Sequence, residues 1–162
     1  MPVPAVIAAA ADNYRFNSGF LEKMVGDLSP DEWLRRPDER LNHIAWIVGH
    51  VVWTRKQLLG RLGAEWSLPW LGSFARGMKC DDAAAYPSSA ALIDAWREVS
   101  GVLAGTLDSV PEDLLAQSST SGPPSTDGKV SGIVIFLAFH ETYHIGQASY
   151  VRSWLGHKGL MG

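Results

Sequence analysis

The residues with the plainest chemistry are His140 and His144, which with Glu141 between them spell H-E-x-x-H. On a helix, histidines four apart stand one turn above each other on the same face. Two neutral imidazoles so placed can grip one divalent metal. Unrelated folds share this spacing, so the rest of the chain must decide what kind of site it is.

A helix there is what the sequence predicts. The stretch from Val130 to Leu155 is long enough for roughly seven turns. Its apolar opening, Ile133 to Leu137, alone could pass for a buried strand, and length arbitrates for helix. Thr126 or Asp127 can cap the start, and Gly156 can stop the end. Three earlier long helices are predicted. The first runs from Pro4 to Leu28, with Asn13 and Asn17 one turn apart on its apolar face. The second runs from Asn42, read as its cap, to about Leu62. The third runs from Ser88 to about Leu107. Short helices fit Ser29-Pro30-Asp31-Glu32, with the spacing of a capping box, and Ser109 to Leu115, with the same S-x-x-E spacing. No strand alternation occurs. The expected fold is therefore all-α, an antiparallel four-helix bundle with short extra helices. Between helices 2 and 3 lies a long loop, Gly63 to Pro87, whose Trp66, Pro69, Trp70 and Phe74 suggest that it packs down over something.

Composition narrows the function classes. The 162 residues are 46% apolar and 19% charged, which fits one globular domain spanning 1–162. A net charge of −3 gives no reason to expect nucleic acid or an anionic membrane surface. No segment is apolar enough for a bilayer span. The first residues lack the basic region of a secretory signal, so a cytoplasmic protein is expected. The single cysteine, Cys80, cannot form an internal disulfide and is read as incidental. The last residues, His157 to Gly162, read as a loose tail.

The two halves echo each other. Pro30-Asp31-Glu32-Trp33-Leu34 follows the first helix, and Pro111-Glu112-Asp113-Leu114-Leu115 follows the third. Placing Ile47-Val48-Gly49-His50 over Leu137-Ala138-Phe139-His140 sets Thr54 against His144. Equivalent second and fourth helices would let His50 face His140 across the bundle, as in metal sites built from facing helices. Three histidines result: His50, His140 and His144.

Taken together, the Asn13–Asn17 helix leading into Leu28-Ser29-Pro30-Asp31-Glu32, the Ile47-Val48-Gly49-His50 helix and His140-x-x-x-His144-Ile145-Gly146-Gln147 resemble the DinB/YfiT-like family of metalloenzymes. The resemblance implies a four-helix bundle holding one divalent metal (Zn, Ni, Co or Fe) through His50, His140 and His144. It also implies frequent homodimers and a small-molecule substrate. Characterised relatives include S-transferases and a maleylpyruvate isomerase that use a low-molecular-weight thiol such as mycothiol, bacillithiol or glutathione.

Two other readings stand beside it. One is a non-enzymatic stress-response or binding bundle with a structural metal or none. The other is a zinc peptidase, where Glu141 would be the general base. Against the peptidase, Gln147 and Tyr150 replace the glycine and the last histidine of the longer zincin pattern, and no acidic residue follows Glu141. Three imidazoles leave coordination positions open, through which a thiol or a water could be activated. Around them, Asn13, Asn17, Trp46, Trp53, Tyr143 and Gln147 are candidate lining residues, and Glu141 a candidate acceptor for a histidine N–H. Arg15, Arg55 and Arg152 are the candidates for pairing with a thiol's carboxylates. No catalytic base is assigned.

Overall fold

The computed structural model describes residues 3–161. Met1, Pro2 and Gly162, part of the expected leaderless start and loose tail, lie outside them. Five α-helices form: α1 (Ala8–Val25), α2 (Ile44–Arg61), α3 (Ser89–Ser109), the single turn α4 (Glu112–Leu115) and α5 (Val130–Trp154). Three 3₁₀ turns, Ala5–Ile7, Glu32–Leu34 and Leu71–Phe74, complete the secondary structure, and no strand is present among the described residues. The four long helices form the expected all-α bundle.

They pack in a ring, α1 against α5, α5 against α2, α2 against α3 and α3 against α1. Cross-helix contacts set the directions. Tyr14 donates to the Val134 carbonyl and Arg152 to that of Met24, so α1 and α5 run the same way. Arg15 pairs with Asp108 and the Trp96 indole donates to Ser18 O, so α3 runs opposite to α1; His50 meets His144 and Arg55 bonds Glu141, so α2 runs opposite to α5. α2 and α3 therefore run together, opposite to α1 and α5. Two parallel neighbours need a long return connection, which is the role of residues 62–88.

Local chemistry explains the ends. Ser88 accepts from the Ala91 N–H at 3.2 Å and caps α3 as expected. The cap of α2 is His43, not Asn42: its Nδ1 accepts from the Trp46 N–H at 3.1 Å. At the start of α5, Asp127 collects the N–H groups of Lys129 and Gly132 and the Ser131 hydroxyl, although Lys129 is the capping position. α5 ends in a Schellman motif: Gly156 has φ +94°, and the Gly156 and His157 N–H groups reach Ser153 O and Arg152 O. His157 also binds Glu32 at 2.8 Å, so the tail is tied down where it begins. Glu32 accepts from Ser29 N as a capping box predicts, yet only a 3₁₀ turn follows. The second S-x-x-E caps nothing: Ser109 bonds back to Gly105 O, and Pro111 precedes α4.

α2 is buried on almost every side, not on one stripe. α5 and α3 cover two of its faces, and the crossover covers a third. Phe74 is the plug. It is fully buried, and a Cβ at Gly49 would stand 2.3 Å from its ring. Only glycine at 49 lets the crossover lie down on α2.

Candidate metal centre

His50 comes from the middle of α2, and His140 and His144 from successive turns of α5. Antiparallel packing of those two helices brings them to one depth. One ring nitrogen from each lies within 4.8 Å of the others. The Nε2 atoms of His140 and His144 are 3.2 Å apart, and ring centroids are separated by 4.5 to 5.4 Å.

Partners on the far side of the rings decide which nitrogen is free. The His50 Nδ1 sits 2.7 Å from the Phe74 carbonyl. A carbonyl can only accept, so Nδ1 carries the proton and Nε2 keeps its lone pair. His144 Nδ1 lies 2.8 Å from Gln147 Oε1, which likewise leaves Nε2 bare and aimed at His140. These two nitrogens must share either a proton or a cation. Burial, then the charges of the neighbouring histidines, pulls His144 down to about 4. Burial, then the charges of His50 and Arg76, does the same for His140. His50 is lowered by burial. All three are thus neutral donors near pH 7, the form a metal requires. His140 Nδ1 is buried without a partner. Neutral, converging nitrogens, with the far sides of His50 and His144 anchored, fit a three-imidazole cation site.

Other expected residues divide into those that reach the triad and those that do not. Trp46 and Trp53 stack on the His50 ring at centroid distances of 4.8 and 5.7 Å. Tyr143 is exposed and meets His144 edge-on at 5.4 Å. Tyr143 and Gln147 also line a hollow of about 460 Å³ with Leu41 and Tyr150, and Trp53 lines another of about 540 Å³ with Lys56 and Leu71. Each hollow touches the triad through the residue that contacts a histidine. Asn13 is not brought to the site; it is exposed on α1. Asn17 is buried, but it donates to Glu141 and Thr142, each at 3.1 Å, and to no histidine.

Glu141 is not an acceptor for a histidine N–H. A rotation of roughly 100° per residue carries it from the triad face to the core face of Ala138, Ile145 and Ala148. There it is completely buried and takes Arg55 Nε at 2.6 Å and Nη2 at 2.8 Å. Arg55 further donates to Tyr14 O, Ser18 and Ser100 and lies 3.8 Å over the Trp96 ring. A glutamate held this way is not aimed at the triad, which removes the base that a peptidase mechanism needs.

Arg55 is thereby spent, and the other two candidate arginines are spent as well. Arg15 pairs with Asp12 and Asp108, and Arg152 with Asp27. The sequence reading missed Phe74 O because a backbone carbonyl leaves no trace in residue type. The Arg55–Glu141 pair did leave a trace, since the helical register of Glu141 points to the core.

Cys80 is less isolated than its loop position suggested, for it groups with His43 and Asp82. That cluster does not repeat the triad. His43 Nδ1 is already used by the Trp46 N–H, so its proton sits on Nε2, and Asp82 pairs with Arg36 at 2.9 Å. The cluster brings residues 80 and 82 of the crossover beside His43 at the start of α2.

A family model described as the DinB superfamily matches residues 19–148, a span holding all three histidines. No curated protein matches the chain.

Proposed function

The chain belongs to the DinB superfamily, and from that premise we propose that it binds one divalent metal through His50, His140 and His144 and acts as a metal-dependent enzyme on a small molecule. The reaction class we favour is thiol-dependent S-transfer or a related hydrolysis or isomerisation. The observation that carries this reading is the convergence of three neutral imidazoles, two of which, His50 and His144, have their outer nitrogens fixed by Phe74 O and Gln147.

When bound, the ion would supply a Lewis-acidic position that lowers the pKa of a coordinated thiol or water. The chain's own residues do the rest. The Phe74 carbonyl and Gln147 hold His50 and His144 in the tautomer that presents Nε2. Trp46 and Trp53 fix the His50 ring and keep water from its faces. The Arg55–Glu141 pair locks α2 to α5 at the level of the triad.

We place the protein in the cytoplasm as a homodimer. The support for self-association is a stripe of exposed apolar side chains, Ile135, Phe139, Tyr143 and Tyr150, along one side of α5. No helix of the structure is long and apolar enough to cross a membrane.

The test is elemental analysis of protein purified without chelator or nickel-affinity steps, followed by activity screens with and without low-molecular-weight thiols. Stoichiometric metal and thiol-dependent turnover are expected. Failure to take up Zn, Ni, Co or Fe after reconstitution would remove the reading.

A further inference from the structure

The hollow of about 460 Å³ lies where α5 meets the segment leading into α2. Leu41 and Asn42 line it from that segment, and Tyr143, Gln147, Tyr150 and Val151 from α5. Tyr143 and Tyr150 stand about 10 Å apart along the helix axis, and Gly146, between them, lines the hollow too. A Cβ at Gly146 would meet nothing within 4 Å, and its φ is not positive. Neither packing nor backbone geometry calls for glycine at 146, and glycine inside a helix costs stability relative to alanine. What the missing side chain provides is room in the hollow.

Two features give that room a chemical preference. No described residue lining it is charged, whereas the second hollow, beside Trp53, contains Lys56. Gln147, moreover, is only half used. Its Oε1 takes the proton of His144 Nδ1 at 2.8 Å, and its amide nitrogen makes no hydrogen bond among the described residues. Two N–H donors of a lining residue are thus left without a partner. Apolar, uncharged walls with a few placed polar groups are the usual make-up of a small-molecule site.

We propose that this hollow binds a small uncharged molecule with an apolar body and a carbonyl oxygen. The body lies over Gly146 between Tyr143 and Tyr150, and the oxygen accepts from the Gln147 amide. The site does not depend on the metal reading, which adds only that its ligand sits one hydrogen bond from a coordinating histidine. Tyr143 and Tyr150 also belong to the exposed apolar stripe of α5, so the rival occupant is a second copy of the chain.

Three probes separate the possibilities: acetophenone, which has the acceptor, ethylbenzene, which lacks it, and benzoate, which is charged. Each is titrated into zinc-reconstituted protein, following the Gly146 backbone and Gln147 side-chain amide signals by NMR. Acetophenone should shift both signals saturably, and benzoate should shift neither. Gly146→Leu fills the hollow and should abolish acetophenone binding. Gly101→Leu, which also enters open space but on α3, should leave it unchanged. Gln147→Leu, read on the Gly146 signal, should weaken acetophenone about two- to tenfold relative to ethylbenzene, the scale of one neutral hydrogen bond; it decides the matter even if Gly146→Leu does not fold. No saturable shift with acetophenone, a benzoate shift of equal size, full binding in Gly146→Leu, or equal losses of acetophenone and ethylbenzene in Gln147→Leu would each overturn the proposal. So would a Gly146 signal that moves on dilution and ignores acetophenone, since a second copy would then fill the hollow. A sample that takes up no zinc yet binds acetophenone refutes the metal reading alone, and a zinc-loaded sample that does not bind it refutes this proposal alone.

Discussion

Glu141→Gln separates two roles that the H-E-x-x-H string confounds. In the structure Glu141 and Arg55 are almost entirely buried and joined by two short bonds, and Asn17 adds a third to the carboxylate. Removing the charge of one partner strands the other in a low-dielectric interior, which costs about 3–5 kcal/mol for a pair of this kind. Gln can still accept one bond from Arg55, so the lower end applies, about 3 kcal/mol. With a urea dependence of about 1–3 kcal/mol/M, the unfolding midpoint should fall by roughly 1–3 M. Metal affinity should move little, within about tenfold, because no Glu141 oxygen touches a histidine; the outer partners of metal ligands typically cost 10–100-fold. Replacing both partners, Arg55→Met with Glu141→Leu, should recover most of the lost stability, since no charge is then left alone. The assays are urea denaturation of the metal-free protein and competitive zinc titration of the folded protein. Near-parental stability together with a more than hundredfold loss of zinc would refute the reasoning, because Glu141 would then act on the metal and not on the fold.

Other expectations follow from the same geometry. His50→Ala should weaken zinc or nickel binding as much as His140→Ala or His144→Ala; parental affinity in the His50 variant, by titration, would break the three-histidine site. Gly49→Ala drives a methyl into the Phe74 ring; it should cost about 1–3 kcal/mol and weaken metal binding, because displacing Phe74 takes its carbonyl from His50, and thermal melts with and without zinc would check both. Since His140 and His144 are held down to about 4, proton competition for the metal should begin below pH ~5 and not near the ordinary histidine value of about 6.5. The same shifts make the metal-free fold lose stability as pH falls from about 6.5 toward about 4, where the unfolded chain takes up protons that the native chain does not; flat stability across that window would contradict the burial of the rings. Cys80→Ser should leave metal content unchanged, by elemental analysis, because the thiol groups with His43 and Asp82 and not with the triad.

Helical period, caps and the absence of strand alternation were enough for four long helices, for Ser88 as a cap and for Gly156 as a stop. These are local matters, decided by residues a few positions apart. The four-residue spacing of His140 and His144 is local too, and the echo between the halves was enough to set His50 beside them. The fate of the remaining polar residues was not local. Glu141 and Arg55 are 86 positions apart, and their pairing depends on α2 running antiparallel to α5 with Ala138, Ile145 and Ala148 on the shared face. Asn13 and Asn17 sit one turn apart in the sequence, but α5 covers only Asn17, so identical side chains end in solvent and in the core. The choice of Phe74 O as the partner of His50 was made by the crossover. Its path depends on a missing Cβ at Gly49 and on a ring 25 residues later filling that space. Residue types record which groups can bond; only the packed chain decides which of them meet.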